Sequence, residues 1–405
     1  MILRTPRALF FGICIAVVSV VPVQESDAAL SAKGWGNPGR VSGRTAAAPN
    51  SGIGVAELQS LSGSWRVDGG EFTPPVVTSA LVIAGDNGGN GAVRLRAFRL
   101  GDGASRWQRA FGSSSAGSIG PPSTDGNLVF VTVERRIPSG FAQDLFAFHI
   151  ADGTHAWKAE LGTSTRRLGA QEVTVTSGTV LTRTSSGTDY TAVAGYSAAT
   201  GFWRYSRTPG GAVTAFVASD GRLFVATDTT GASYDLDLGQ PLIPISSIAG
   251  MKSLAVAGDR LFGSTTTHVS AVSASLGYAV WSVPASEGCE PVLRVITAEL
   301  VIASQKTCAN GPPLVLTRAG ANYSAILDDA LSGDIPIVFG DHVLIATSTA
   351  GRIKAWNLIH GVVYGTKISL PRTREPVMYS RFGGPVVAWD RVIVPEHGAL
   401  QVFAP

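Results

Sequence analysis

Chemistry in this chain would need a histidine or cysteine beside a second reactive group, paired carboxylates, or a glycine-rich loop for a phosphate. The six histidines, His149, His155, His268, His342, His360 and His397, are scattered, and no two have the spacing of metal ligands. His149 and His155 flank one turn and read as surface turn residues. Asp86-Asn-Gly-Gly-Asn-Gly91 has the flavour of a calcium loop but lacks the acid that closes one, and a hairpin loop is due there. Asp102 and Asp152 precede glycine in the same local sequence. A single active site needs its acid once, so repetition assigns them to turns. Glu134-Arg-Arg136 and Arg166-Arg167 are expected in loops, solvated or facing an acidic partner. There is no Gly-x-Ser-x-Gly nucleophile turn, phosphate loop or His-Glu-x-x-His helix. The expectation is no catalytic residue, no metal ligand and no enzymatic activity.

The start of the chain reads as an address. Arg4 and Arg7 precede an apolar run from Ala8 to Val23, followed by small residues at Ser26, Ala28 and Ala29. That is the order of a secretory signal, with cleavage expected after Ala28 or Ala29 and an uncleaved anchor as the alternative. Cys14, in Phe11-Gly-Ile-Cys14, lacks the small residue that precedes a lipidated cysteine. No other stretch is apolar enough to span a bilayer, so the protein is not expected to be a multi-span membrane protein. Export to a periplasm, cell envelope or extracellular space is oxidising, and Cys289 and Cys308 are then the two remaining cysteines. The apolar runs Pro291–Ile296 and Leu300–Ala303 between them would fold as a hairpin with the cysteines at its open end, and a disulfide is expected. A net charge of +3 without a basic cluster gives no reason to expect nucleic acid.

The elements that must position these residues repeat. Leu95-Arg-Ala-Phe-Arg-Leu-Gly-Asp-Gly-Ala-Ser-Arg-Trp107 and Leu145-Phe-Ala-Phe-His-Ile-Ala-Asp-Gly-Thr-His-Ala-Trp157 are near-copies: strand, turn, strand opening on tryptophan. Asp-Gly is the signature of a two-residue hairpin turn. The turn glycines Gly63, Gly103, Gly153, Gly201, Gly239, Gly277, Gly320 and Gly361 follow one another at 40, 50, 48, 38, 38, 43 and 41 residues. Such intervals hold four short strands. Between them lie apolar runs such as Leu81–Ala84, Leu128–Val131, Leu223–Ala226, Leu300–Ala303 and Val392–Val394, suited to inner strands covered on both faces. Residues 1–28 are thus a leader, 29–58 a Gly/Ala/Pro-rich tether, and 59–405 one repeating domain. The last unit stops at Pro405, just before its turn glycine, and the missing glycine–tryptophan strand stands alone at Gly63–Val67. The fold expected is an all-β, eight-bladed β-propeller of four-stranded antiparallel blades, its last blade closed by the N-terminal strand.

The pattern Leu-x-Ala-Phe-x-x-x-Asp-Gly-x-x-x-Trp resembles the repeat of the pyrroloquinoline-quinone (PQQ) type β-propellers over residues 60–405, sharply at Trp107, Trp157 and Trp281. The resemblance implies that Trp65, Trp107, Trp157, Trp203 and Trp281 dock neighbouring blades. The superfamily includes PQQ-dependent dehydrogenases, which carry an adjacent cysteine pair, a catalytic Asp and calcium ligands. Here no Cys-Cys pair exists. The size resembles instead the non-enzymatic propellers of barrel assembly. The implied function is an exported, monomeric scaffold binding a protein or envelope polymer through its loops, with no cofactor. The alternative is a PQQ-dependent periplasmic oxidoreductase.

Overall fold

The structure, a computed structural model, describes residues 60–88, 92–113, 117–296, 300–306, 314–320 and 386–405. It also describes the short strands Ala47–Ala48, Ile337–Phe339, Val343–Thr347, Arg352–Asn357 and Ile368–Arg372. The leader, the tether apart from Ala47–Ala48, Cys308 and Gly361 lie outside the described residues. Apart from a 3-10 turn at Ser246–Ile248, every regular element described is a strand.

The apolar runs become second strands. Leu81–Asp86 is buried at every position, because both faces of its sheet are covered by neighbouring sheets. In unit 1 it pairs with Val76–Val77 on one side and with Ala92–Arg99 on the other, and Ser105–Ser113 completes the sheet. Unit 4 (213–244) and unit 5 (253–284) repeat this four-stranded order. Units 2 and 3 (117–164 and 174–207) share one nine-stranded sheet, joined by parallel pairing of Gly162–Ser164 with Ser185–Gly187. Unit 6 has Glu290–Ile296, Leu300–Lys306 and Leu314–Thr317. Ala47–Ala48 adds in parallel to Val338–Phe339 of the sheet that follows.

The Asp-Gly turn is longer than its two-residue signature implies. His149 N–H donates to Thr154 O at 2.8 Å and Gly153 N–H to His149 O at 2.8 Å, so the loop is the four residues Ile150–Gly153. Only Gly153 has positive φ, +66°; the Asp152 carboxylate instead accepts from Thr154 N–H at 2.8 Å. The odd geometry forces a bulge just before the turn, between Ala147 and Phe148, and the same shift recurs at Ala97/Phe98, Gly195/Tyr196, Ser233/Tyr234 and Ala271/Val272. The bulge places the large residue four after the glycine opposite a small one: Trp107 against Ala97, Trp157 against Ala147, Tyr205 against Gly195, Trp281 against Ala271.

The core is a succession of apolar layers between consecutive sheets. Leu81, Ile83 and Leu95 of unit 1 pack with Val129, Val131 and Phe148 of unit 2, and similar layers join units 2–3, 3–4, 4–5 and 5–6. One layer joins the ends of the chain: Val82, Phe98 and Leu100 pack with Val386–Ala388, Val392–Val394 and Phe403. The N-terminal strand Ser62–Glu71 pairs antiparallel with Arg391–Ala404, Trp65 opposite Val402 and Val67 opposite Leu400. The runs Val392–Val394 and Leu400–Phe403, read as two strands in the sequence, lie within that one long element. The fold is therefore an all-β propeller of antiparallel sheets, its last sheet completed by the N-terminal strand. The count of eight is the expectation drawn from the glycine spacing, of which Gly361 lies outside the described residues.

Candidate functional site

The aromatic positions come first because they set where loops can go. The Trp157 indole N–H donates to Ala198 O at 2.9 Å, three residues before the turn glycine of the next unit. Trp107 does the same to Ile150 O at 2.8 Å, and Trp65, on the N-terminal strand, to Leu100 O of unit 1 at 2.9 Å. Trp281 reaches Arg318 O at 2.9 Å in the unit where the repeat is least legible. Each ring lies flat against a turn glycine; a Cβ on Gly201 would sit 2.5 Å from Trp157. Trp203 departs from its expected role. It is 63% exposed, and Tyr205, 1% exposed, docks in its place, its hydroxyl donating to Leu236 O at 2.5 Å. The reason is register: Tyr205, not Trp203, stands four after the glycine and faces the small residue. Sequence reading also missed Arg109 and Arg207, two after the docking aromatic. Arg109 donates to Asp152 O and Gly153 O, and Arg207 to Gly239 O, clamping the same turns. The visible signal was the shared spacing Trp107-x-Arg109 and Tyr205-x-Arg207.

The charged residues gather on units 2 and 3. Glu134-Arg-Arg136, expected in a loop, lies in strand Leu128–Ile137, whose pairing with Gly140–His149 makes a long hairpin. Glu134 is fully buried. Its Oε2 accepts from Leu168 N–H at 2.9 Å and Gly169 N–H at 2.8 Å, and Oε1 faces Arg167 Nε at 3.5 Å. Gln143 donates to the Tyr190 hydroxyl at 2.9 Å, which donates to Gly169 O at 2.7 Å. Ser118 Oγ accepts from Ala170 N–H at 2.9 Å, and Thr132 donates to Gln171 O. Segment 168–171 is thus fixed by unit 2 side chains. Burial pushes the Tyr190 hydroxyl up to about 12, against opposing pulls from Gln143 and Arg183. Beside this, buried Asp144 binds Arg135 at 2.7 Å and Lys158 at 3.0 Å. Arg166 and Asp189 pair at 2.7 Å in solvent.

Both buried carboxylates are committed. Glu134 holds two backbone N–H groups and Asp144 two cations, so neither is set up as a base. Arg135, Arg136, Arg166 and Arg167 are all exposed, with Asp189 paired to Arg166 and the exposed Glu160 opposite Asp144 among them. The remaining sequence candidates separate. Asp86 is buried in a strand, accepting from Gly70 and Gly88 N–H and pairing with Arg96 at 3.1 Å. Asp102 accepts from its own turn at Ala104 N–H, 3.0 Å. His155 packs edge-on against Phe148. Cys289 is buried. Among the described residues no three His, Cys, Asp or Glu side chains converge as metal ligands do.

No curated protein matches the chain. Solved propellers match its fold at low identity. BamB from Moraxella catarrhalis is 16% identical, covering 85% of this chain and 98% of its own, at a TM-score of 0.58. A europium-containing methanol dehydrogenase is 11% identical over 93% and 99%, at 0.63. The quinohemoprotein alcohol dehydrogenase of Comamonas testosteroni is 11% identical over 92% and 80%, at 0.67. At such identities the likeness is one of fold. The sequence profile described as "Outer membrane protein assembly factor BamB" matches residues 142–399, a stretch that runs from the long hairpin of unit 2 to the closing sheet. The chain belongs to that family.

Proposed function

We propose that this protein is an exported, non-catalytic propeller that binds a protein or envelope polymer through the loop face of units 2 and 3. The observation that carries the reading is the shared nine-stranded sheet: it makes two blades one rigid platform, on which buried Glu134 and Asp144 hold a cationic rim. A surface fixed before binding loses little freedom on association, and outward arginines suit acidic groups on a partner. The family's description as an assembly factor for outer membrane proteins supports a protein partner and an envelope location. A Cys289–Cys308 disulfide belongs to the proposal: Cys289 is buried, and Cys308 is the other cysteine downstream of the leader. So do the monomeric state and the leader ending at Ala28 or Ala29.

Affinity capture of the tagged protein from its own envelope fraction, alongside Arg136→Glu/Arg166→Glu, tests the face. The expected result is a captured partner lost in the variant at unchanged thermal melting. A partner held equally by both would move the site elsewhere. Titration with pyrroloquinoline quinone and calcium tests the oxidoreductase alternative: saturable absorbance change with dye reduction by alcohols or sugars would overturn the non-catalytic reading.

A further inference from the structure

Among the described residues, the large hydrophobic side chains that stay exposed lie in three consecutive units. Phe202 (75%) and Trp203 (63%) belong to unit 3, Leu238 (64%) and Leu242 to unit 4, and Leu276 (69%) and Tyr278 to unit 5. Val280 follows on the same outer strand of unit 5. All lie within three residues of the turn glycines Gly201, Gly239 and Gly277. These are the third-to-fourth-strand turns, which in antiparallel units open on one face of the disc, at its rim. The corresponding turns of units 1 and 2 carry Asp102, Ser105, Asp152, Thr154 and His155. The apolar strip is therefore not shared by the turns of units 1 and 2.

The strip is rigid and electrically neutral. Trp157 packs on Gly201, Arg207 donates to Leu238 O and Gly239 O, and Gly277 lies close to Pro244 O. Its charges are used internally: Arg204 faces Asp237 at 3.8 Å, and Asp235 accepts from Asp237 and Leu238 N–H at 3.0 and 2.7 Å. Two arginines, Arg204 and Arg207, balance two aspartates, Asp235 and Asp237. The side chains stand on protruding turns. A cavity between units 4 and 5, lined by Asp220, Arg222, Asp259 and by Ala274 and Ser275 just before Leu276, lies next to them without including them. Apolar side chains carried on successive turns suit a lipid surface, which moulds around them. Tryptophan, tyrosine and phenylalanine with leucine are the side chains that partition to the level of lipid headgroups, and neutrality matches a zwitterionic surface.

We infer that the rim of units 3 to 5 docks on a lipid surface, with Phe202, Trp203, Leu238, Leu276 and Tyr278 inserted at the headgroup level. The test is flotation of the full chain with phosphatidylcholine vesicles, compared with Phe202→Ser/Trp203→Ser/Tyr278→Ser. Losing three aromatic insertions should lower the vesicle-bound fraction about tenfold or more, with binding of the parent unchanged by high salt. In parallel, brominated phosphatidylcholine should quench tryptophan fluorescence, and Trp203→Phe should remove the quenchable component. This second arm decides the matter should the triple variant fold poorly. A variant that floats like the parent would show that the leader region carries the binding and would overturn the proposal. So would binding confined to anionic vesicles and abolished by salt. Loss of a captured protein with vesicle binding intact would make the strip a protein interface and equally overturn it.

Discussion

Trp157 and Trp203 are the same residue type on adjacent outer strands, yet one is buried and the other is in water. Position relative to the turn glycine decides which. Trp157→Ala opens a hole against Gly201 and orphans Ala198 O; a loss of about 3–5 kcal/mol is expected by denaturant unfolding. Trp203→Ala should stay within about 0.5 kcal/mol. Gly201→Ala, which must hold positive φ and meet the Trp157 ring, should cost about 2 kcal/mol. Tyr190 offers a pH test. Burial raises its pKa from 10.0 to about 12, so the fold favours the protonated phenol. That stabilisation is complete below about pH 10 and is lost as pH rises through about 12. Tyr190→Phe should therefore lose less stability than the parent between pH 9 and 12 (unfolding followed at each pH). Such residues were half legible. The glycine spacing found Trp157, whereas Trp203 rested on the resemblance to the repeat, which does not say which face the bulge turns outward.

At the scale of elements, one carboxylate, with Thr132 and Gln143 beside it, holds the long hairpin of unit 2 to segment 168–171. Glu134→Ala would leave Leu168 N–H and Gly169 N–H without their acceptor and Arg167 without its counter-charge. A loss of about 3 kcal/mol in unfolding free energy is expected. Arg167→Ala should cost clearly less, since its side chain is half exposed. Faster amide exchange confined to 168–171 in the Glu134 variant would show that the carboxylate is a latch for that segment. The apolar second strands were legible as elements because both faces need covering. Glu134 was not. A charge three residues past Leu-Val-Phe-Val131 reads as a loop, and the groups that satisfy it lie more than thirty residues further on.

For the whole molecule, closure is the property that the ends of the sequence announced. Deleting residues 59–69 removes most of the strand on Arg391–Ala404 and the indole on Gly103 together. It would also bare an edge strand, so thermal melting should fall steeply, with aggregation on heating. An unchanged melting curve would contradict the closure. Architecture was readable because periodic turns and a missing strand are properties of spacing. The binding faces were not, because loops vary without cost to the sheets beneath them. The parallel junction of Gly162–Ser164 with Ser185–Gly187 follows from strand length in two units at once, which no single stretch displays.

The closing strand also sets how the disc yields to force. Ser62 stands opposite Ala404, and the register runs inward to Glu71 opposite His397. Tension drawn outward from these two flanks meets the backbone hydrogen bonds singly, as a zip opens, rather than all together as in shear. A load between the N-terminal flank and the C-terminal strand would therefore peel Ser62–Glu71 away bond by bond at low force. The same load across neighbouring sheets of units 1 to 6 would have to part a whole packed apolar layer. Among the described sheets the point of opening lies where the chain enters the disc.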